Sequence, residues 1–251
     1  MIGFDAASLL LQWAAGGLLF LWVTTRHREV SLGYGWLMRG TYALMAFGAF
    51  WIGIAVIDPL PVRDLSALLV GLVATGVLVS SVVRRRAGVA GQNELVEART
   101  ARVAEMTGIE RAAAVKDDTV REFDPRLDLI APAIGFVGVI ASGLAAGGPA
   151  WLAVARFVVG SLFLGAVTDA MLLGHWYLVQ PGLARGALLE LVRWTGWLWI
   201  PEVALLLVPT GMVSAINGTI DDGYGGLLVW FWIACVVTVS YTHLRAHETR
   251  E

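Results

Sequence analysis

The chain has 251 residues, of which 57% are apolar and only 15% are charged, whereas soluble domains carry about 25% charged residues. Its formal net charge of −2 at pH 7 argues against a nucleic-acid partner, because such proteins present a strongly basic surface. The single cysteine, Cys235, excludes a disulfide framework and a cysteine-based metal site. We therefore expect a protein whose main partner is the lipid bilayer.

Long apolar runs, taken in chain order, predict membrane-spanning helices. A helix needs about 20 mostly apolar residues to cross the hydrocarbon layer, and seven segments reach or approach this length. They are residues 6–25, 37–57, 65–83, 129–147, 151–179, 187–208 and 224–239. The prediction is an all-α, polytopic transmembrane helix bundle of about seven spans, the last of them truncated.

One long polar stretch, residues 84–128, divides the chain into three spans (1–83) and four spans (129–239). Asn93 is a candidate cap for a helix whose apolar positions recur at helical spacing. Asp117 and Arg121 form an i, i+4 pair that favours a second helix. We expect a solvated helical insert. The alternative is a docking site for a membrane or cytoplasmic protein partner.

Basic residues are distributed unevenly between the connections. Of the 18 Lys and Arg residues, thirteen fall on one side of the predicted membrane: three after the first span, nine in the insert and one after the fifth span. Only Arg63 falls in a connection on the other side. By the positive-inside rule, the N-terminus lies outside and the 84–128 insert lies in the cytoplasm. We expect the protein in the inner (cytoplasmic) membrane of a bacterium.

The last twelve residues, 240–251, depart from this pattern. The run 241–249, Tyr-Thr-His-Leu-Arg-Ala-His-Glu-Thr, resembles the translated sequencing-adapter sequence that ends many reading frames assembled from metagenomic data. The resemblance implies that the gene is interrupted here, and the short seventh apolar run agrees with an unfinished span. We therefore assign no metal site to the two histidines of this tail. Residues 1–239 carry no family resemblance.

Acidic residues inside the apolar runs are the main candidates for function, because a charge at membrane depth is costly. Asp169 lies well inside the fifth span, where it must face protein or water, pair with a base, or bind a proton. Glu202 lies near the middle of the sixth span, next to Pro201, which favours a kink. An acid beside a broken helix is typical of ion sites in some transporters. The structural alternative is that Asp169 and Glu202 only form hydrogen bonds that hold neighbouring helices together, which we call the staple. Glu190 and Arg193 are predicted to form an ion pair.

Histidines give a weaker hypothesis. His175 lies at one end of the fifth span and Arg156 at the other, about 28 Å apart by helical rise. Both fit the two membrane interfaces, where Arg156 would snorkel and Trp176 would belong to an aromatic belt. His175 and His27 lie near the same leaflet, so the alternative is that they bind haem b between them.

Glycines inside the spans are predicted to serve helix packing, because they allow neighbouring helices to approach closely. The positions are Gly71, Gly76, Gly135, Gly138 and Gly143.

Motifs of soluble-type catalysis are missing: the sequence contains no Walker, Rossmann, HExxH or GxSxG pattern. The leading functional hypothesis is small-molecule or ion-coupled transport through the intramembrane acids Asp169 and Glu202. Two alternatives stay open: a haem- or quinone-associated subunit of a redox chain, and a non-catalytic assembly or scaffold subunit.

Overall fold

A computed structural model describes residues 2–107, 122–180 and 183–207, with scattered helical positions between residues 227 and 238. Across these residues the fold is helical throughout and contains no strand, which confirms the all-α prediction. The predicted Asp117–Arg121 pair, most of the seventh apolar run and the tail at 240–251 lie outside the described residues.

Seven α-helices follow one another in the described ranges up to residue 207. They are α1 (Ala6–Thr25), α2 (Leu32–Ala55), α3 (Pro61–Val83), α4 (Ala90–Thr107), α5 (Ile130–Ala145), α6 (Ala150–Val179) and α7 (Gly186–Leu207). Short 3₁₀ turns at Arg85–Ala87 and Pro125–Leu129 precede α4 and α5.

Five stretches are long and apolar enough to cross a membrane: α1, α2, α3, α6, and α5 together with its preceding turn. The chain therefore has the helices of an integral membrane protein. α7 matches the sixth predicted segment to within a residue at each end. It is not among the five, and it carries three charged residues: Glu190, Arg193 and Glu202.

Helix α1 lies at the centre of the bundle. It contacts α2, α5 and α6 extensively and α3 and α7 more lightly. In its apolar window 67% of the residues are buried inside the protein, against 33–44% for the other four candidate spans. The run Ala14-Ala15-Gly16-Gly17 on α1 consists of small residues, which let neighbouring helices approach closely.

The two ends of the bundle are marked by different contacts. At what we call the Asp5 end, Asp5 caps α1 by accepting a hydrogen bond from the Ser8 amide (2.8 Å), and the Gly3 amide donates to the Ala146 carbonyl (2.7 Å). At the opposite end, named the Asp128 end, the Ser31 amide donates to the side chain of Gln180 (3.1 Å). Three of the basic residues predicted to be cytoplasmic belong to the Asp128 end, where Arg26, Arg28 and Arg39 pair with Glu190, Glu122 and Asp128.

The position of Arg39 differs from the one predicted from the sequence. We counted it with the cytoplasmic basic residues that follow the first span, at the start of the predicted second span (37–57), but α2 begins at Leu32. Arg39 therefore lies in the second turn of α2, where its side chain is 2% exposed and pairs with Asp128. Sequence hydropathy placed the helix start too late because the first turn of α2 contains small and aromatic residues.

The predicted insert is only partly separate from the bundle. α4 begins at Ala90, so the prediction that Asn93 caps this helix is wrong. The last residues of the insert are only partly solvated, because Phe123, Pro125 and Asp128 are buried against the bundle while Arg126 is exposed.

The predicted packing role of glycine holds at four of the five positions. A Cβ atom at Gly71, Gly135, Gly138 or Gly143 would lie 2.7–2.8 Å from an atom of a neighbouring helix, which is too close for any larger residue. At Gly76 a Cβ would meet nothing within 4 Å, so close packing does not explain that glycine.

Candidate functional site

Asp169 lies on α6 and is fully buried between α6, α1 and α2. One carboxyl oxygen, Oδ1, accepts a hydrogen bond from the hydroxyl of Tyr42 on α2. The hydroxyl of Tyr34, two turns earlier on α2, donates to the backbone carbonyl of Asp169 (3.3 Å). The other carboxyl oxygen, Oδ2, finds no hydrogen-bond partner among the described residues. The prediction that Asp169 faces the bundle interior agrees with this geometry.

Small residues on α1 bring Tyr42 to Asp169. A Cβ atom at Gly17 would lie 2.0 Å from the Tyr42 ring, so only glycine leaves room for that ring beside α1. Gly16 and Gly165 bring α1 and α6 equally close, since a Cβ at Gly165 would lie 2.2 Å from the Gly16 carbonyl carbon. The tyrosine hydroxyl can therefore cross from α2 to α6 over the face of α1.

The absence of a basic partner distinguishes Asp169 from the other buried acids. Asp128 accepts two hydrogen bonds from Arg39, to Nε at 2.7 Å and to Nη2 at 2.6 Å. Asp64 accepts one from Arg63 Nε at 2.7 Å. In the described ranges no lysine, arginine or histidine forms an ion pair with Asp169. A buried carboxyl that has no cation beside it is unusual unless the site has a function.

Glu202 lies on α7 directly after Pro201, the proline inside that helix. Its Oε2 atom is buried and has no hydrogen-bond partner in the described part of the chain. The carboxylate points toward Gly160 of α6 and the side chain of Gln12 on α1. The positive charge of Arg156, one turn before Gly160, acts on Glu202, although the two side chains do not form an ion pair within 4 Å.

Asp169 and Glu202 lie at different depths. The contact of Glu202 with α6 is at Gly160, nine residues from Asp169, or about 13–14 Å along the helix. Glu202 is therefore on the Asp5 side of Asp169. The predicted adjacency of their helices is confirmed, because α6 and α7 pack together, but the two acids do not touch.

Polar side chains that we did not single out in the sequence occupy the region between the two acids. Gln12 is 1% exposed, and its Nε2 atom has no partner among the described residues. Ser161 donates its hydroxyl to the Gln12 backbone carbonyl (2.7 Å), and Trp13 donates its indole N–H to Thr168 (2.9 Å). The sequence feature that could have identified Gln12 as a candidate is its polar amide inside an otherwise apolar run.

The two candidate haem ligands have different surroundings. His175 is exposed on α6, and its Nδ1 atom lies 2.8 Å from the Met171 carbonyl of the same helix. His27 is exposed in the loop after α1, where its Nε2 atom lies 3.4 Å from Glu190. Haem ligation by this pair stays a prediction. Trp176, expected in an interfacial belt, instead donates a hydrogen bond to Ser31 (3.1 Å) within the protein.

The predicted Glu190–Arg193 ion pair is wrong. Glu190 contacts Arg26 and His27, which lie in the loop after α1, and no ion pair joins it to Arg193 in the described structure. The tertiary contact replaces the local one because α7 begins beside this loop.

Comparison with protein-family models, with curated proteins and with solved structures finds no match to this chain.

Proposed function

We propose that this protein is a membrane transporter that couples the movement of a small solute or ion to its intramembrane acids, Asp169 and Glu202. The observation that carries the proposal is the environment of Asp169. This carboxyl group is fully buried midway along a candidate span, one oxygen is held by Tyr42, and the other has no partner in the described residues. A purely structural acid would be expected to use both oxygens or to pair with a base.

The arrangement supports a carrier of protons or ions rather than a static staple. Tyr42 holds Oδ1, so that Oδ2, which has no partner in the described residues, remains able to bind a proton or an ion. Glu202 and Gln12 supply further unpaired polar atoms on the Asp5 side of Asp169. Pro201 removes one backbone hydrogen bond from α7 beside Glu202, and backbone carbonyls freed in this way contribute to ion sites in secondary transporters.

The test is flux into liposomes containing the full chain, driven by an imposed membrane potential and followed with a trapped pH dye for protons and a trapped cation-sensitive dye for sodium or potassium. We expect Asp169→Asn to reduce the flux to the level of protein-free liposomes, because the amide keeps the shape of the side chain but cannot exchange a proton. Asp58→Asn is the matched control, since Asp58 is exposed in the connection between α2 and α3. Equal flux in both variants would refute the transport role and favour the staple.

A further inference from the structure

Three carboxylate and amide oxygens converge on one glycine of α6. A Cβ atom built on Gly160 would lie 3.7 Å from Glu202 Oε2, 3.8 Å from Gln12 Oε1 and 3.8 Å from Glu202 Oε1. The three residues come from α1, α6 and α7, so tertiary packing alone brings them together. We call Gln12, Gly160 and Glu202 the Gly160 site.

Two atoms of the Gly160 site are buried without a hydrogen-bond partner among the described residues: Gln12 Nε2, a donor, and Glu202 Oε2, an acceptor. Gln12 is 1% exposed, and buried polar atoms are nearly always paired. A ligand that serves both atoms must accept a hydrogen bond from the amide and donate one to the carboxylate.

Water fits this requirement, and a metal cation does not. A cation cannot accept the amide hydrogen bond, and calcium or magnesium binds six or more oxygen atoms, whereas two side chains approach here. Among the described residues, no group of three His, Cys, Asp or Glu side chains comes together as a metal site.

We propose that the Gly160 site binds a water molecule between the Gln12 amide and the Glu202 carboxylate, and that this water is where protons enter the protein from the Asp5 end. The second part rests on the proposed transport function and makes the proton the coupling ion. A hydronium ion at the site transfers its proton to a Glu202 oxygen: an O–H bond breaks in the hydronium, one forms on the carboxyl group, and neutral water remains. Gln12 acts as a positioning residue that orients the water.

Gly160→Ala is the sharpest perturbation. The added methyl group would make only ordinary contacts of 3.7–3.8 Å, so the helices should pack as before, but it takes the position from which water reaches the three oxygens. Gly174→Ala is the matched control on the same helix, because a Cβ there meets nothing within 4 Å.

The first measurement is the infrared C=O stretch of the carboxyl group, recorded on protein in lipid at a pH low enough to protonate Glu202, with the Glu202 band assigned by its loss in Glu202→Gln. We expect Gly160→Ala and Gln12→Leu to shift this band to higher frequency, because the carboxyl group loses a hydrogen bond, and Gly174→Ala to leave it unchanged. An unshifted band in Gly160→Ala overturns the water site. A rise in melting temperature with sodium chloride that Gly160→Ala abolishes also overturns it, since a cation would then be the ligand.

The second measurement is proton flux under the same imposed potential. We expect Gly160→Ala to slow the flux about tenfold, the effect of losing one hydrogen bond, while Gly174→Ala matches the native protein. If Asp169→Asn abolishes flux and Gly160→Ala has no effect, the entry route is wrong and the transport function stands. If Asp169→Asn has no effect although Gly160→Ala shifts the infrared band, the transport function fails and the water site stands.

Discussion

Removal of Asp128 is expected to destabilise the protein severely. Its carboxylate is the partner of Arg39, with two hydrogen bonds of 2.7 and 2.6 Å and side-chain exposures of 1% and 2%. Asp128→Ala would leave a guanidinium group buried without a counter-charge. Breaking a buried pair in this way costs about 3–5 kcal/mol, a large part of the roughly 5–15 kcal/mol that stabilises a typical domain.

Other contacts of Arg39 do not compensate for that loss. Its Nη1 atom already lacks a partner among the described residues, so no spare acceptor stands ready. The Phe123 ring lies 4.6 Å from the guanidinium carbon, but this contact exists in the native protein and is retained in the variant. The destabilisation should therefore remain near the full 3–5 kcal/mol.

Equilibrium unfolding in detergent micelles, followed by circular dichroism, measures the effect. We expect Asp128→Ala and Arg39→Met each to be strongly destabilised, and the double variant Arg39→Met/Asp128→Ala to be more stable than either, because it leaves no buried charge. Arg126→Met, at an exposed position of the same segment, should change stability by no more than about 0.5 kcal/mol. A loss below about 1 kcal/mol in Asp128→Ala, or simple additivity in the double variant, would refute the reasoning.

Three further predictions concern packing, topology and the chain end. Gly165→Ala should prevent folding, since its Cβ would lie 2.2 Å from the backbone of α1, whereas Gly76→Ala should fold normally. The measurement is the yield of monodisperse protein after purification, which should be lost in Gly165→Ala and unchanged in Gly76→Ala. In a Cys235→Ser background, Gln92→Cys should react with an impermeant thiol reagent only from the cytoplasmic side, and labelling from outside would invert the topology. Resequencing the gene should reveal an apolar continuation after Val239, and a native stop codon after Glu251 would contradict the adapter interpretation.

The positions of the helices followed from local sequence. α1 has the bounds predicted for it, and α6 begins one residue earlier and ends at Val179 as predicted. The reason is that crossing a bilayer imposes a length and a hydropathy on each segment separately. One exception is informative: α2 begins at Leu32, five residues before the predicted start, because hydropathy gives little weight to the small and aromatic residues of its first turn.

The candidate site was predicted only in part. Asp169 and Glu202 could be found in the sequence, because an acid in an apolar run is conspicuous at any position. Their partners could not be found. Tyr42 is 127 residues from Asp169. Gln12 is a polar residue in an apolar run, but nothing local to α1 shows that it lies beside Glu202 at Gly160.

Tertiary structure decided these partners because they depend on which helices are neighbours and how closely they approach. Hydropathy shows neither which helices are neighbours nor how closely they approach. The small residues of α1 set the approach: Gly17 admits the Tyr42 ring, and Gly16 meets Gly165, which places three helices around one buried carboxyl group. The sequence alone determined a helical membrane protein with acids in its spans, and the packing around α1 determined which groups those acids face.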